Sequence, residues 1–182
     1  YFTPRPVIEA IVEVIRPQPK EKICDPACGT GGFLLEAHRY IERNNPNLDK
    51  TQKRHLKLKA LRGVELVDSV TRLCAMNLLL HGIGPTTKAE GESPVRTADS
   101  LSNEPEAEFE VVLTNPPFGK KSSVTFVNED EDEEEDKKQA LTIVRNDFYT
   151  STSNKQLNFL QHVKSLLKIH GRAAVVVPDN VL

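Results

Sequence analysis

Short apolar, strand-like runs alternate along the chain with segments of helical periodicity, and this alternation restricts the possible folds more than any other feature. The strand-like runs are residues 22–25, 61–66, 95–98, 110–114 and 173–177. Apolar residues at helical spacing occur at 4–15, at 32–43, between the second strand and Gly82, and at 154–169. The alternation predicts an α/β domain with a doubly wound, mostly parallel sheet, and ligands bind such sheets at the carboxyl ends of their strands.

Length and composition indicate one compact domain. Of the 182 residues, 38% are hydrophobic, which is enough for a sizeable core. The sequence has neither an apolar run of about 18 residues nor the layout of a signal peptide, so we expect a cytoplasmic protein without a membrane span. Because the first residue is Tyr1, we interpret the sequence as an excised piece of a longer protein.

The charge is unevenly distributed. The formal net charge is −2, but residues 129–136 are eight consecutive acids, and outside them 24 basic residues stand against 18 acidic ones. A mildly basic body is compatible with binding a phosphate backbone and equally with ordinary solvated charge. Residues 120–153 hold the acidic run and few apolar anchors, which predicts a flexible acidic insertion within the domain.

The three cysteines, Cys24, Cys28 and Cys74, do not form the paired motifs of a zinc site. We therefore predict reduced, buried, structural cysteines and no metal. Thr3, just before Pro4, is placed to cap the first helix.

A glycine-rich segment connects the first strand to the second helix. It contains Asp25, Gly29, Thr30, Gly31 and Gly32. Glycines at a strand-to-helix turn let backbone N–H groups approach a ligand. The segment matches neither a P-loop nor the GxGxxG dinucleotide fingerprint, so it favours a nucleoside cofactor without a pyrophosphate. The alternative is a tight turn whose glycines serve packing alone.

Two acidic residues at strand ends are further candidates for the cofactor site. Glu65 ends the second strand, where a carboxylate accepts hydrogen bonds from ribose hydroxyls in doubly wound folds. Asp99, after the third strand, is placed to accept a hydrogen bond from the adenine of the cofactor. A turn or helix-capping role explains Asp99 equally well.

The segment formed by Asn115, Pro116, Pro117 and Phe118 follows the fourth strand and is the candidate catalytic site. The Asn115 side chain and the Pro116 backbone each offer a carbonyl acceptor, and Phe118 offers a ring for stacking. Two acceptors suit an aromatic amine held toward an electrophilic methyl group, and such a transfer depends on orientation rather than on a strong base or a metal. An ordinary proline turn after a strand is the alternative.

Together these motifs resemble the modification subunit of type I restriction-modification systems, within the adenine-N6 DNA methyltransferases. Residues 25–34 resemble the family's glycine motif, residues 115–118 its catalytic motif, and residues 154–180 its later helix and strand. The N-terminal cofactor motif of the family resembles the segment that begins with Tyr1, Phe2, Thr3, Pro4 and Arg5.

The resemblance implies a Rossmann-like methyltransferase domain that binds S-adenosylmethionine and methylates adenine N6 in DNA, with base flipping where the DNA is duplex. It also implies a specificity subunit that reads the DNA sequence and a restriction subunit. Relative to the family, residues 1–182 form a C-terminally truncated catalytic fragment. The alternatives left open are a non-catalytic cofactor-binding or assembly module and an N-methyltransferase acting on RNA or on protein glutamine.

Overall fold

The structure is a computed structural model that describes residues 3–118 and 142–181. It is an α/β domain built on a five-stranded parallel sheet with strand order β3-β2-β1-β4-β5. The strands are β1 (Ile23–Asp25), β2 (Leu61–Glu65), β3 (Val95–Thr97), β4 (Phe109–Thr114) and β5 (Leu167–Val175). The helices are α1 (Arg5–Ile15), α2 (Gly32–Asn44), α3 (Lys50–Leu58), α4 (Asp68–Leu80) and α5 (Lys155–Leu166), with short 3-10 turns at Lys88–Glu90 and Asp179–Val181. The predicted doubly wound fold is confirmed.

Helices cover both faces of the sheet and define two apolar clusters. On one face, α1, α2 and α4 pack against the sheet through side chains such as Val12, Leu34 and Leu78. On the other face, Val163 and Leu166 of α5 pack against Cys24 and Val112. Because β1 lies in the middle of the sheet, its three residues are all buried, and the turn that follows β1 lies at the centre of the carboxyl edge.

Two sequence predictions differ from the structure, and one helix was not predicted. The polar stretch 44–59 contains α3, which begins with a capping box between Asp49 and Gln52 and contributes Leu56 to the core. The predicted helix 154–169 ends at Leu166, because the chain there enters β5, which pairs with β4 around an irregularity between Phe109 and Val111. Thr3 does not cap α1: the N-cap residue is Pro4, and the Thr3 hydroxyl is engaged elsewhere.

The segment predicted as an acidic insertion is only partly described. The acidic run 129–136 lies outside the described residues. The end of the segment, 142–153, makes specific contacts: Ile143 forms an isolated bridge with Thr152, and Arg145 forms an ion pair with Asp147. Among the described helices, none has the length and apolar character needed to cross a membrane.

Candidate active site

The glycine turn after β1 is held by backbone hydrogen bonds to the neighbouring strand and within itself. Cys28 N donates to Val64 O over 3.0 Å, and Gly31 N donates to Cys28 O over 2.8 Å. Gly29 and Gly31 have φ values of 52° and 86°, in the left-handed region that favours glycine. The sequence therefore forms a tight strand-to-helix turn whose conformation is fixed before any ligand binds.

The three glycines of the turn are required for different reasons. A Cβ atom at Gly31 would lie 2.8 Å from Cys74 Sγ, and one at Gly32 would lie 2.9 Å from Ile8 Cδ1. Both glycines thus permit close packing of the turn against α4 and α1. A Cβ at Gly29 would meet nothing within 4 Å, so this is the part of the turn with room for a ligand.

Glu65, at the end of β2, lies against the glycine turn. One carboxylate oxygen accepts a hydrogen bond from Gly29 N over 3.1 Å, and the other accepts from Val67 N over 3.0 Å. The carboxylate is only partly buried, and each oxygen has further acceptor capacity. This arrangement fits an acidic residue that receives hydroxyl groups of a nucleoside beside the turn.

Asp25 and Asp99 occupy different positions around the turn. Asp25 is buried beneath it and accepts a hydrogen bond from Ala27 N over 3.1 Å, and burial raises the pKa of this carboxyl to about 7. Asp99 accepts from Leu101 N over 2.9 Å and so forms a turn after β3. The Ser100 hydroxyl donates to Pro26 O over 2.6 Å, which connects this loop to the glycine motif.

The candidate catalytic segment begins where β4 ends. Asn115 Nδ2 donates to Thr3 Oγ1 over 2.8 Å, which fixes the orientation of the amide. Asn115 Oδ1 is buried and has no hydrogen-bond partner among the described residues. Pro116 is buried, Pro117 is exposed, and half of Phe118 is exposed to solvent. The segment thus combines an unused carbonyl acceptor with an aromatic ring that is free to stack.

The N-terminal segment that precedes α1 contacts the catalytic segment. Tyr1 and Phe2 lie outside the described residues, and Thr3 is the residue that contacts Asn115. Pro4 and Arg5 are exposed at the start of the helix. The structure therefore connects the predicted cofactor segment at the N terminus directly with the catalytic motif.

The carboxyl ends of the strands bring the two motifs to one edge of the sheet. β1 is in parallel register with both β2 and β4, so the glycine turn, Glu65 and Asn115 all lie at the ends of adjacent strands. In the ranges 3–118 and 142–181 there is no group of three side chains with the residue types and proximity needed to hold a metal ion.

Sequence reasoning missed several residues that support the site. Asn77 on α4 donates from Nδ2 to Thr30 O over 2.9 Å and so braces the glycine turn. The buried Arg145 side chain reaches Ser100 O over 3.3 Å and His162 Nδ1 over 3.1 Å. Burial lowers the pKa of His162 to about 4. All of these are contacts between distant parts of the chain, which local sequence patterns do not signal.

Cys24, Cys28 and Cys74 are buried, as predicted, and the structure describes them as free cysteines. Cys28 Sγ and Cys74 Sγ lie 3.9 Å apart beneath the glycine turn. Cys28 and Cys74 fill the space between the turn and α4.

Comparison with known proteins connects these features to a family. A family model described as N-6 DNA methylase matches residues 1–182. The chain is 40% identical over 188 residues to the methylase subunit of the type I restriction enzyme StySPI from Salmonella potsdam, with 100% of this chain and 32% of that protein covered. Identity and coverage are the same for the EcoKI methylase subunit of Escherichia coli strain K12.

Solved structures agree with the sequence comparison. The crystal structure of the EcoKI M protein matches with a TM-score of 0.81 and 41% identity, over 100% of this chain and 35% of that one. A class I S-adenosylmethionine-dependent methyltransferase from Listeria monocytogenes matches with a TM-score of 0.59 at 18% identity, over 97% of this chain and 45% of that one, and shares the fold alone. The chain spans about a third of the length of the curated relatives it matches. The chain belongs to the N-6 DNA methylase family.

Proposed function

We propose that residues 1–182 form the cofactor-binding and catalytic part of an adenine-N6 DNA methyltransferase, the modification subunit of a type I restriction-modification system. One observation carries the proposal: Asn115 Oδ1 is a buried acceptor without a partner in the described chain, at the strand end beside the glycine turn. A buried acceptor left unsatisfied costs about 1–3 kcal/mol. An amine that enters the site and donates to this oxygen would recover that free energy.

The residues at the turn fit S-adenosylmethionine, which when bound supplies a methyl group on a sulfonium centre. The space at Gly29 admits a ligand close to the backbone, and Glu65 accepts from its ribose hydroxyls. Among the other predicted contacts, Thr30 is part of the glycine turn and Arg5 begins α1 two residues after Thr3, whereas buried Asp25 acts by shaping the turn. Asp99 contributes either to the adenine end of the site or only to its own turn.

The residues at the catalytic segment fit adenine. Asn115 Oδ1 and the Pro116 carbonyl accept the two hydrogens of the exocyclic amine, and the exposed ring of Phe118 stacks on the base. Thr3 holds the Asn115 amide so that its carbonyl faces away from the hydroxyl. A base in duplex DNA reaches such a segment only when it is flipped out of the helix.

The relatives named as type I methylase subunits support two further parts of the proposal. We infer that the full-length protein acts with a specificity subunit, which selects the DNA sequence, and with a restriction subunit. A DNA substrate is also consistent with the expected cytoplasmic location.

Transfer of a labelled methyl group tests the proposal. The full-length protein, assembled with its specificity subunit, is incubated with labelled S-adenosylmethionine and with DNA, RNA or protein as acceptor. We expect label in DNA, recovered as N6-methyladenine. Label in RNA or in protein glutamine would transfer the assignment to those acceptors, and cofactor binding without transfer to any of them would indicate a non-catalytic module.

A further inference from the structure

The amino ends of the strands carry a group of cations at the edge of the sheet opposite the glycine turn. Residues 50–62 contain six lysines and arginines and no acidic residue. This stretch forms α3 and leads into β2, whose first residue, Leu61, is in register with Ile23 of β1. The residues before β1 contact α3, because the His55 ring lies 3.3 Å from Glu21 O. We call the following set the basic edge: Lys22, Lys50, Lys53, Arg54, Lys59 and Arg62.

The cations of the basic edge have no ion-pair partner in the described part of the chain, and they outnumber the acids around them. Within residues 3–118 and 142–181 none of them forms an ion pair, whereas Lys57 on the same helix pairs with Glu90. Four acids lie nearby without an ion pair: Asp49 accepts from Gln52 N as the N-cap of α3, and Glu92, Asp99 and Glu104 line the same cavity as Arg62. The surface therefore keeps a net positive charge.

Arg62 differs from the other residues of the basic edge because they are exposed, whereas Arg62 is only partly exposed to solvent. Its guanidinium is partly buried, and Nη1 donates to the carbonyl oxygens of Leu58, over 3.3 Å, and Leu61, over 2.8 Å. Burial lowers the pKa of this group, and the nearby Glu92 carboxylate offsets only part of that effect. Lys22 and Lys59 line the same cavity of about 510 Å³. An anion at the mouth of this cavity would offset the cost of burying the charge.

The surroundings favour a nucleic acid over a protein partner. Protein interfaces usually contain buried apolar or aromatic anchors. No large hydrophobic side chain is exposed in residues 20–22 or 50–62, whereas α4 exposes Leu73, Met76 and Leu80. Lys50, Lys53 and Arg54 are spaced three and four residues apart and share one helix face, which suits a run of phosphates.

We propose that the basic edge binds phosphates of DNA away from the target base, an inference that rests on the DNA substrate proposed above. The basic edge and Asn115 lie at opposite edges of the sheet, so the basic edge does not touch the flipped base. It contributes affinity, through charge, and leaves the transfer step unchanged.

The salt dependence of DNA binding tests this proposal. The full-length protein in complex with its specificity subunit is titrated with a duplex that extends well beyond the target on both sides. Lys50→Gln/Lys53→Gln removes two charges from the basic edge, and Lys50→Arg/Lys53→Arg is the matched control that keeps them. Removing one phosphate interaction reduces the magnitude of the slope of log K against log salt by about 0.9. For two interactions we expect a reduction of up to about 1.8 in the glutamine variant and the wild-type slope in the arginine variant.

The outcomes separate this proposal from the proposed function. A reduced slope with an unchanged turnover rate at saturating DNA supports the basic edge as a phosphate-binding surface. An unchanged slope overturns it, and so does dissociation of the specificity subunit from the glutamine variant, which would identify a protein-binding surface. Failure of the wild-type complex to bind DNA at all would instead contradict the proposed function.

Discussion

The glycine turn and the turn that begins at Asn115 both lie at the carboxyl edge of the sheet. They differ in whether their polar groups have hydrogen-bond partners within the protein. The glycine turn is held by several contacts: Glu65 accepts from Gly29, Asn77 donates to Thr30, and Gly31 packs against Cys74. At the other turn, Asn115 Oδ1 is buried without a partner in the described chain. Under the proposed assignment, the cofactor side of the site is built in advance, whereas the catalytic side keeps an acceptor that no described residue satisfies.

The difference in hydrogen bonding also predicts which substitutions affect cofactor binding and which affect methyl transfer. Substitutions in the glycine turn are expected to change stability or cofactor affinity, because its groups already have partners. Loss of the Asn115 carbonyl is expected to change transfer, because Oδ1 bonds to no other group of the described fold, whereas loss of Nδ2 also removes the hydrogen bond to Thr3 Oγ1.

Asn115→Ala in the full-length complex is expected to produce the largest effect. Without the acceptor the amine is no longer oriented, and removing one such group typically costs about 10²- to 10³-fold in turnover. Single-turnover methyl transfer measures the rate, and calorimetry with S-adenosylmethionine serves as the control and should be unchanged. A rate within a few-fold of wild type would show that Asn115 does not hold the amine.

Gly31→Ala tests the packing of the glycine turn against Cys74. Its Cβ would lie 2.8 Å from Cys74 Sγ at a φ of 86°, so strain and overpacking together are expected to cost about 2–4 kcal/mol of stability. Thermal unfolding measures the decrease. Gly29→Ala is the matched control, because it has a positive φ of 52° but nothing within 4 Å of its Cβ. Equal decreases for the two variants would mean that the packing against Cys74 is unimportant.

Glu65→Gln is expected to weaken cofactor binding while leaving the fold in place. The amide oxygen can accept from only one of the two backbone donors, Gly29 N and Val67 N, and hydrogen bonds to a charged group contribute about 1.5–3 kcal/mol, part of which the variant forfeits. We expect about 10- to 30-fold weaker binding of S-adenosylmethionine by calorimetry. Wild-type affinity in this variant would exclude Glu65 from the cofactor site.

Thr3→Val should have the smallest effect. It tests the contact between the N-terminal segment and Asn115. Removal of the hydroxyl leaves Asn115 Nδ2 without its acceptor, which costs about 1 kcal/mol, or about 5-fold in turnover. Thr3→Ser keeps the hydroxyl and should retain the wild-type rate. If the valine variant also turns over at that rate, the hydrogen bond does not position Asn115.

Local sequence patterns predicted most of the fold and both motifs. The strands and helices around the glycine turn, and β4 before Asn115, occur within a residue or two of their predicted positions because apolar periodicity follows burial. The sequence patterns failed at α3 and at the start of β5. A capping box holds α3 with a single buried leucine, and strand pairing across an irregular register starts β5 earlier than the apolar run.

The candidate site was predictable as a set of residues but not as a set of contacts. Neither the hydrogen bond from Asn115 to Thr3 nor the packing of Gly31 on Cys74 follows from spacing, because both join residues far apart in the chain. The roles of the predicted site residues toward cofactor and target remain predictions for the experiments above.

The most direct test of the unsatisfied acceptor is a structure of the full-length complex with target DNA and a non-reactive cofactor analogue. The distance to measure is that between Asn115 Oδ1 and the exocyclic nitrogen of the flipped adenine. We expect a hydrogen bond of about 2.7–3.2 Å, with Nδ2 still bound to Thr3 Oγ1. An Asn115 Oδ1 that is bonded to a protein group, with the adenine amine held by other residues, would contradict the assignment of Asn115 as the acceptor of the amine.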